Sequence, residues 1–230
     1  METTAKTNIY NLIILDKSGS MSNIKEEALS GYNETLGTIR SAQLKHLDTQ
    51  EHFVSLAAFC SCGVQMIYDK TPIKDAANLT SEDYQPCCCT PLFDAVGTSV
   101  QNLRKAIEED KTAAVLVTII TDGLENSSKE WNGTAVKKLI EECKGLGWNF
   151  AYIGADHNVE EIAEKLSINN TSIFDKSEAG VKSMWNQQHE AMSSYYDLIE
   201  EECEMPCMTN EMRVSFRQSL SEKYFKKRKK

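Results

Sequence analysis

Three short stretches of this chain carry side chains suited to chemistry. The first is Asp16-Lys17-Ser18-Gly19-Ser20, which follows an apolar run. Side chains two apart in an extended turn can converge on one point, and Gly19 tolerates unusual backbone angles. The second is Thr90, just ahead of a helical pattern, and the third is Asp122 in Thr121-Asp122-Gly123, which ends another apolar run. Two carboxylates and three hydroxyls make an all-oxygen set. Such a set suits a hard divalent cation, Mg²⁺ first, with Mn²⁺ and Ca²⁺ also accepting it. Each piece also has a plainer reading. Ser18 and Ser20 are good helix caps, and Asp122-Gly123 makes an ordinary turn. Thr90-Pro91 is a helix start, with Thr90 as N-cap and Pro91 in the first helical position, so Thr90 is expected to cap and to ligate.

The elements that must position these residues are legible in the hydrophobic pattern. Residues 9–15 and 113–120 are continuous apolar runs, the pattern of strands buried on both faces. Residues 148–154 read as a third central strand and 171–174 as an edge strand. Residues 53–59 and 63–68 read as a hairpin turning at Cys60–Cys62, with a loop over 69–89. Spacings of three and four predict helices over 24–44, from about 91 to 107, near 133–145 and near 159–166. A helical stretch from about 177 to 224 is broken near Met205-Pro206, because proline removes a backbone donor. Strands alternating with helices predict an α/β, doubly wound, mostly parallel sheet with a C-terminal helical extension. Ligands of such sheets sit at the carboxyl ends of the strands, where strand order reverses. If the strands ending at Asp16 and Asp122 are neighbours, both carboxylates face one crevice.

D-x-S-x-S after a buried strand, a threonine before a helix and T-D-G after a second strand resemble the von Willebrand factor A domain. Its metal-ion-dependent adhesion site has five positions, and Asp16, Ser18, Ser20, Thr90 and Asp122 each match one. Cys89 to Gly97 and Thr121 to Ser128 are also similar to stretches of short stand-alone A domains of bacteria and phages. The resemblance covers roughly residues 8–176. It implies a Rossmann-like six-strand sheet in the order 3-2-1-4-5-6 with one antiparallel edge strand. It also implies a non-enzymatic protein-binding module whose cation takes a Glu or Asp carboxylate from a partner. The expected division is an N-terminal tail (1–7), the A domain (8–176), the helical extension (177–224) and a basic tail (225–230).

Composition bounds the remaining readings. The apolar and charged fractions, 41% and 26%, are those of a soluble globular protein, and no segment approaches a membrane span. The first apolar run is too short for a secretion signal, so a cytoplasmic location is expected. Residues 211–230 carry eight Lys/Arg against two Glu, a net +6, so the other 210 residues sum to −15. An acidic body disfavours nucleic acid, except through the run Lys226–Lys230. The eight cysteines read as reduced thiols, with a zinc or redox role for Cys60, Cys62 and Cys87–Cys89 near the metal crevice as the alternative. Cys60-x-Cys62 and Cys87-Cys88-Cys89 match poorly the two-to-four-residue spacing of structural zinc ligands. No histidine among His46, His52, His157 and His189 pairs with a nucleophile. Asp94 is either a group behind the cation or a favourable carboxylate in the first helical turn. Trp185, Tyr195, Tyr196, Leu198 and Ile199 are expected to pack on the domain, with self-association through these helices as an alternative. A phosphoryl-transfer hydrolase also begins with an aspartate after its first strand, but needs a second acid two residues on, where Ser18 stands. A scaffold with a purely structural metal is a further alternative.

Overall fold

The computed structural model describes residues 6–155, 159–205, 207–221 and 224–225. Pro206, Asp156, His157 and Lys226–Lys230 lie outside the described residues. The strands are β1 (Thr7–Asp16), β2 (Gln50–Cys60), β3 (Gly63–Pro72), β4 (Ala114–Thr121), β5 (Asn149–Ala155) and β6 (Asn170–Phe174). The helices are α1 (Lys25–Lys45), α2 (Leu92–Ala106), α3 (Gly133–Gly145), α4 (Val159–Lys165), α5 (Glu178–Glu204) and α6 (Asn210–Ser221). The strands form one sheet in the order β3-β2-β1-β4-β5-β6, parallel throughout except for the β2–β3 hairpin. β1 pairs with β4, so strand order reverses between the two strands that end at Asp16 and next to Asp122.

Alternation along β1 builds two cores from one strand. Ile9, Ile13 and Leu15 face a cluster with α1 and α5, whereas Leu12 and Ile14 face α2 and α3. All five are at most 2% exposed. Each is worth about 1.5–3 kcal/mol of burial, so the β1 end that presents Asp16 is firmly seated. α1 and α5 approach closely over Gly31, where an added Cβ would lie 1.9 Å from the Trp185 ring. Trp185, Tyr195, Tyr196 and Ile199 are buried in that core, so α5 completes the layer beside α1. α6 is held at the opposite end of the sheet. Its Arg217 donates to Glu202 of α5 at 2.7 Å and to the Thr112 and Ala113 carbonyls just before β4.

Two sequence expectations are corrected. The loop expected over 69–89 begins later, because β3 runs to Pro72 and a 3-10 turn covers Ile73–Asp75. β3 is an edge strand with no buried residue, so it lacks the alternation that marks half-buried strands, and Lys70 bends it at φ 47°. α2 begins at Leu92, and Pro91 occupies the capping position with no side-chain cap. Thr90 therefore lies outside the helix and does not cap it. The helix is capped from a distance instead: Phe93 N donates to Glu125 Oε2 and Asp94 N to Ser128 Oγ. Among the described residues no helix is long and apolar enough to cross a membrane.

Candidate metal centre

The five oxygen-bearing residues meet at the carboxyl edge of β1 and β4. Asp16 ends β1 and is fully buried. Its Oδ1 accepts from Ser18 N at 2.6 Å and its Oδ2 from Thr121 Oγ1 at 2.6 Å. Ser18 Oγ and Ser20 Oγ are 3.2 Å apart, and Ser20 Oγ donates to Asp122 Oδ1 at 2.6 Å. Gly123 locates Thr90 in the same cluster. A Cβ built there would lie 3.1 Å from Thr90 Oγ1, 3.5 Å from Ser20 Oγ and 3.8 Å from Asp16 Oδ2. Any side chain at 123 would thus intrude among the oxygens. Asp16, Ser18, Thr90 and Asp122 are all under 5% exposed, while Ser20 stands at the open side.

The hydroxyls are not used as caps. Ser18 precedes the 3-10 turn Gly19–Ile24 without a side-chain cap bond, and Thr90 caps nothing. Thr90 is instead gripped through its backbone, its N–H donating to Asn126 Oδ1 at 2.9 Å and its carbonyl accepting from Asn126 N at 3.1 Å. Glu125 accepts from Ser127 N and Ser128 N while capping α2. Asp94 stands in the first turn of α2, the second of the roles considered for it, and also makes contacts beyond its own helix. Burial opposes its charge, yet donation from the Trp131, Lys129 and Glu130 backbone holds its carboxyl below the ordinary range. It thereby ties the segment after β4 to the first turn of α2.

The electrostatics suit a cation. Burial pushes the Asp16 carboxyl up, the bonds from Thr121 and Ser18 pull it back in part, and the charge of Asp122 pushes again. Asp122 Oδ2 is buried and accepts no hydrogen bond. Lys176 Nζ lies 3.1 Å from it as an ion pair. We take the contact as electrostatic, since it lacks hydrogen-bond geometry. Two buried acids, three hydroxyls that cap no helix and a carboxylate oxygen that accepts no hydrogen bond are a donor set that fits a hard divalent ion.

Several contributors were not singled out by the sequence. Tyr84 Oη donates to the Asp16 carbonyl at 2.6 Å and seats the loop before α2 under β1. Thr121 and Asn126 flank the Asp122 turn, and their types next to T-D-G were the available signal. Lys176 follows β6 and carried no signal. The cysteines differ from expectation in placement: the sulfurs of Cys60, Cys62 and Cys87 lie within 4.8 Å of one another. Of the histidines, His52 is buried and its pKa falls to about 3, while His46 faces Asp197 and Glu200.

No family model and no curated protein matches the sequence. Solved structures do. A von Willebrand factor type A protein from Catenulispora acidiphila matches with TM-score 0.58 and 17% identity, over 83% of this chain and 43% of that one. The PilB minor pilin of Streptococcus sanguinis matches with TM-score 0.56 and 10% identity, over 85% and 63%. Proximal thread matrix protein 1 from the mussel byssus, with a zinc-occupied MIDAS motif, matches with TM-score 0.56 and 14% identity, over 84% and 48%. This chain thus spans less than two thirds of the length of each. From strand order, the single antiparallel edge and these likenesses, the chain has the von Willebrand factor type A fold.

Proposed function

We propose that the chain is a metal-dependent protein-binding module rather than an enzyme. Asp16, Ser18, Ser20, Thr90 and Asp122 hold one divalent cation, Mg²⁺ in the first instance. The cation supplies a Lewis-acidic position that takes a Glu or Asp carboxylate of a partner. One observation carries this reading: three hydroxyls that sequence rules assign to capping are released from it and turned toward two buried carboxylates. The two carboxylates balance the formal charge of a divalent ion and the three hydroxyls add none, so a replaceable position on it stays electrophilic enough to take an incoming carboxylate. The zinc-occupied MIDAS motif of the mussel protein supports a divalent ion in a protein of this fold. Phosphoryl transfer is disfavoured because Ser18 offers no second carboxylate for acid–base work.

The test is affinity capture from the native host with immobilised protein, in Mg²⁺ and again in EDTA, beside the Asp16→Ala variant. Partners retained in Mg²⁺ and lost both in EDTA and in the variant are expected. Partners that stay bound after chelation would overturn the proposal.

A further inference from the structure

The β2–β3 turn and the loop before α2 bring four thiols together beside the oxygen site. Cys60 Sγ lies 3.5 Å from Cys87 Sγ, and Cys62 Sγ lies 3.5 Å from Cys88 Sγ. Cys60, Cys62 and Cys87 are also mutually within 4.8 Å, and Cys88 joins this trio through its contact with Cys62. Neighbouring side chains of an extended segment point opposite ways. Cys88 has φ 64°, in the left-handed region, and this break in the extended chain lets Cys87 and Cys88 serve the same cluster. The backbone around them is already knitted: Ser61 N donates to the Cys89 carbonyl at 3.0 Å, Gly19 N to the Cys88 carbonyl at 3.0 Å and Cys87 N to the Lys17 carbonyl at 2.8 Å.

We propose that Cys60, Cys62, Cys87 and Cys88 form a tetrathiolate site for zinc. With Zn–S near 2.3 Å, a tetrahedron has S···S edges of roughly 3.8 Å. The two shortest separations here are close to that edge. Two independent disulfides would need only the pairs Cys60–Cys87 and Cys62–Cys88, and would not need Cys62 near Cys60 and Cys87. Sequence spacing alone argued against zinc because each local pair is too close in the chain. The fold supplies the missing separation by drawing one pair from each of two loops. Cys62 and Cys88 are exposed, which gives the ion a way in, and Cys60 is buried, which anchors the site on β2. Thr90 is two residues beyond Cys88, so a zinc clasp fixes the loop that delivers Thr90 to the oxygen site. The thiolate site does not depend on the metal reading of the oxygen site.

The test is titration of the reduced, metal-stripped full chain with Co²⁺, reading thiolate-to-cobalt charge-transfer absorption. One Co²⁺ per chain with that band, displaced by one equivalent of Zn²⁺, is expected. Cys62→Ser and Cys88→Ser, both exposed and harmless to the core, should weaken Co²⁺ binding more than the roughly 10–100-fold lost when a mere supporting group is removed. Cys143→Ser and Cys89→Ser should leave it unchanged. Asp16→Ala should keep the band, since an ion on oxygen ligands has no sulfur transition. That variant separates failure of this proposal from failure of the oxygen-site reading. Absence of the band, or a band unaffected by Cys62→Ser and Cys88→Ser, overturns the proposal. So does recovery of the chain with Cys60–Cys87 and Cys62–Cys88 disulfides after purification with Zn²⁺ and reductant.

Discussion

Replacing Asp16 with Asn separates the two duties of its carboxylate, holding the β1 turn and holding a cation. The side chain keeps its shape and remains within reach of Ser18 N and Thr121 Oγ1, both 2.6 Å away. Asn Oδ1 keeps the bond from Ser18 N as a neutral one, while Nδ2 stands where Oδ2 accepted, so the Thr121 hydroxyl must turn to accept rather than donate; about 1 kcal/mol is lost at each. Against this, a carboxylate that is fully buried no longer has to be desolvated, a relief of several kcal/mol before compensation. The upward shift of the Asp16 pKa, caused first by burial, says that desolvation outweighs the bonds. In EDTA the Asp16→Asn chain should therefore unfold at or above the parent's midpoint. Cation binding reverses the order. At a hundredfold excess over Kd a ligand bound only by the native state stabilises it by about 2.7 kcal/mol. For a chain of this size, at about 2–4 °C per kcal/mol, that is a rise of roughly 5–11 °C for the parent. The variant should move by less than about 1 °C. Calorimetry in EDTA and across a Mg²⁺ titration reads both arms. A parent indifferent to Mg²⁺, Mn²⁺ and Ca²⁺, or a variant that rises with it, would refute the cation reading. A variant already unfolded in EDTA would instead make Asp16 a structural residue.

Lys176→Gln removes the cation beside Asp122 Oδ2 and should tighten Mg²⁺ binding about tenfold, near 1.4 kcal/mol, by titration calorimetry at low salt. Unchanged or weaker binding would show that Lys176 is no competitor. Arg217→Met leaves the buried Glu202 with Arg213 as its remaining partner and should cost about 3 kcal/mol in urea unfolding, with Mg²⁺ affinity unchanged at the far end of the sheet. A cost below about 1 kcal/mol would refute the anchoring role. His52 is held neutral, with its pKa lowered from 6.5 to about 3 by burial, so the unfolded chain binds the proton first as pH falls. Parent stability should drop relative to His52→Gln by up to about 1.4 kcal/mol per pH unit below about pH 6, and parallel pH profiles would contradict this.

Much of this fold was written in local pattern. β1 and β4 are apolar runs because both faces are covered, and α3 keeps its expected limits because Asn132 caps its start and Gly147, at φ 84°, turns the chain just after its C-cap Leu146. The five oxygen residues were legible because each lies at an element boundary, where type and spacing speak. What escaped the sequence depends on distant chain segments. Lys176 meets Asp122 only because β6 returns the chain to the same edge. Tyr84 reaches β1 from a stretch with no periodicity. The cysteines form a cluster only when the β2–β3 turn and the loop before α2 are brought face to face.

Thr90 shows how local rules can fail at a functional position for a physical reason. A threonine before proline at a helix start is expected to spend its hydroxyl on the orphan N–H groups of the first turn. Here those groups are satisfied by Glu125 and Ser128, from the segment that follows Asp122. The same segment grips the Thr90 backbone through Asn126 and is itself held by Asp94. Capping has moved from the residue that precedes the helix to residues across the crevice. Two consequences follow from that exchange. The Thr90 hydroxyl is free to face the Asp16–Ser20–Asp122 oxygens, and the two walls of the crevice are fastened to each other independently of any ion. A site fastened in this way loses little entropy when it closes on a cation, so its affinity is set by the oxygens and by Lys176 rather than by ordering the loops.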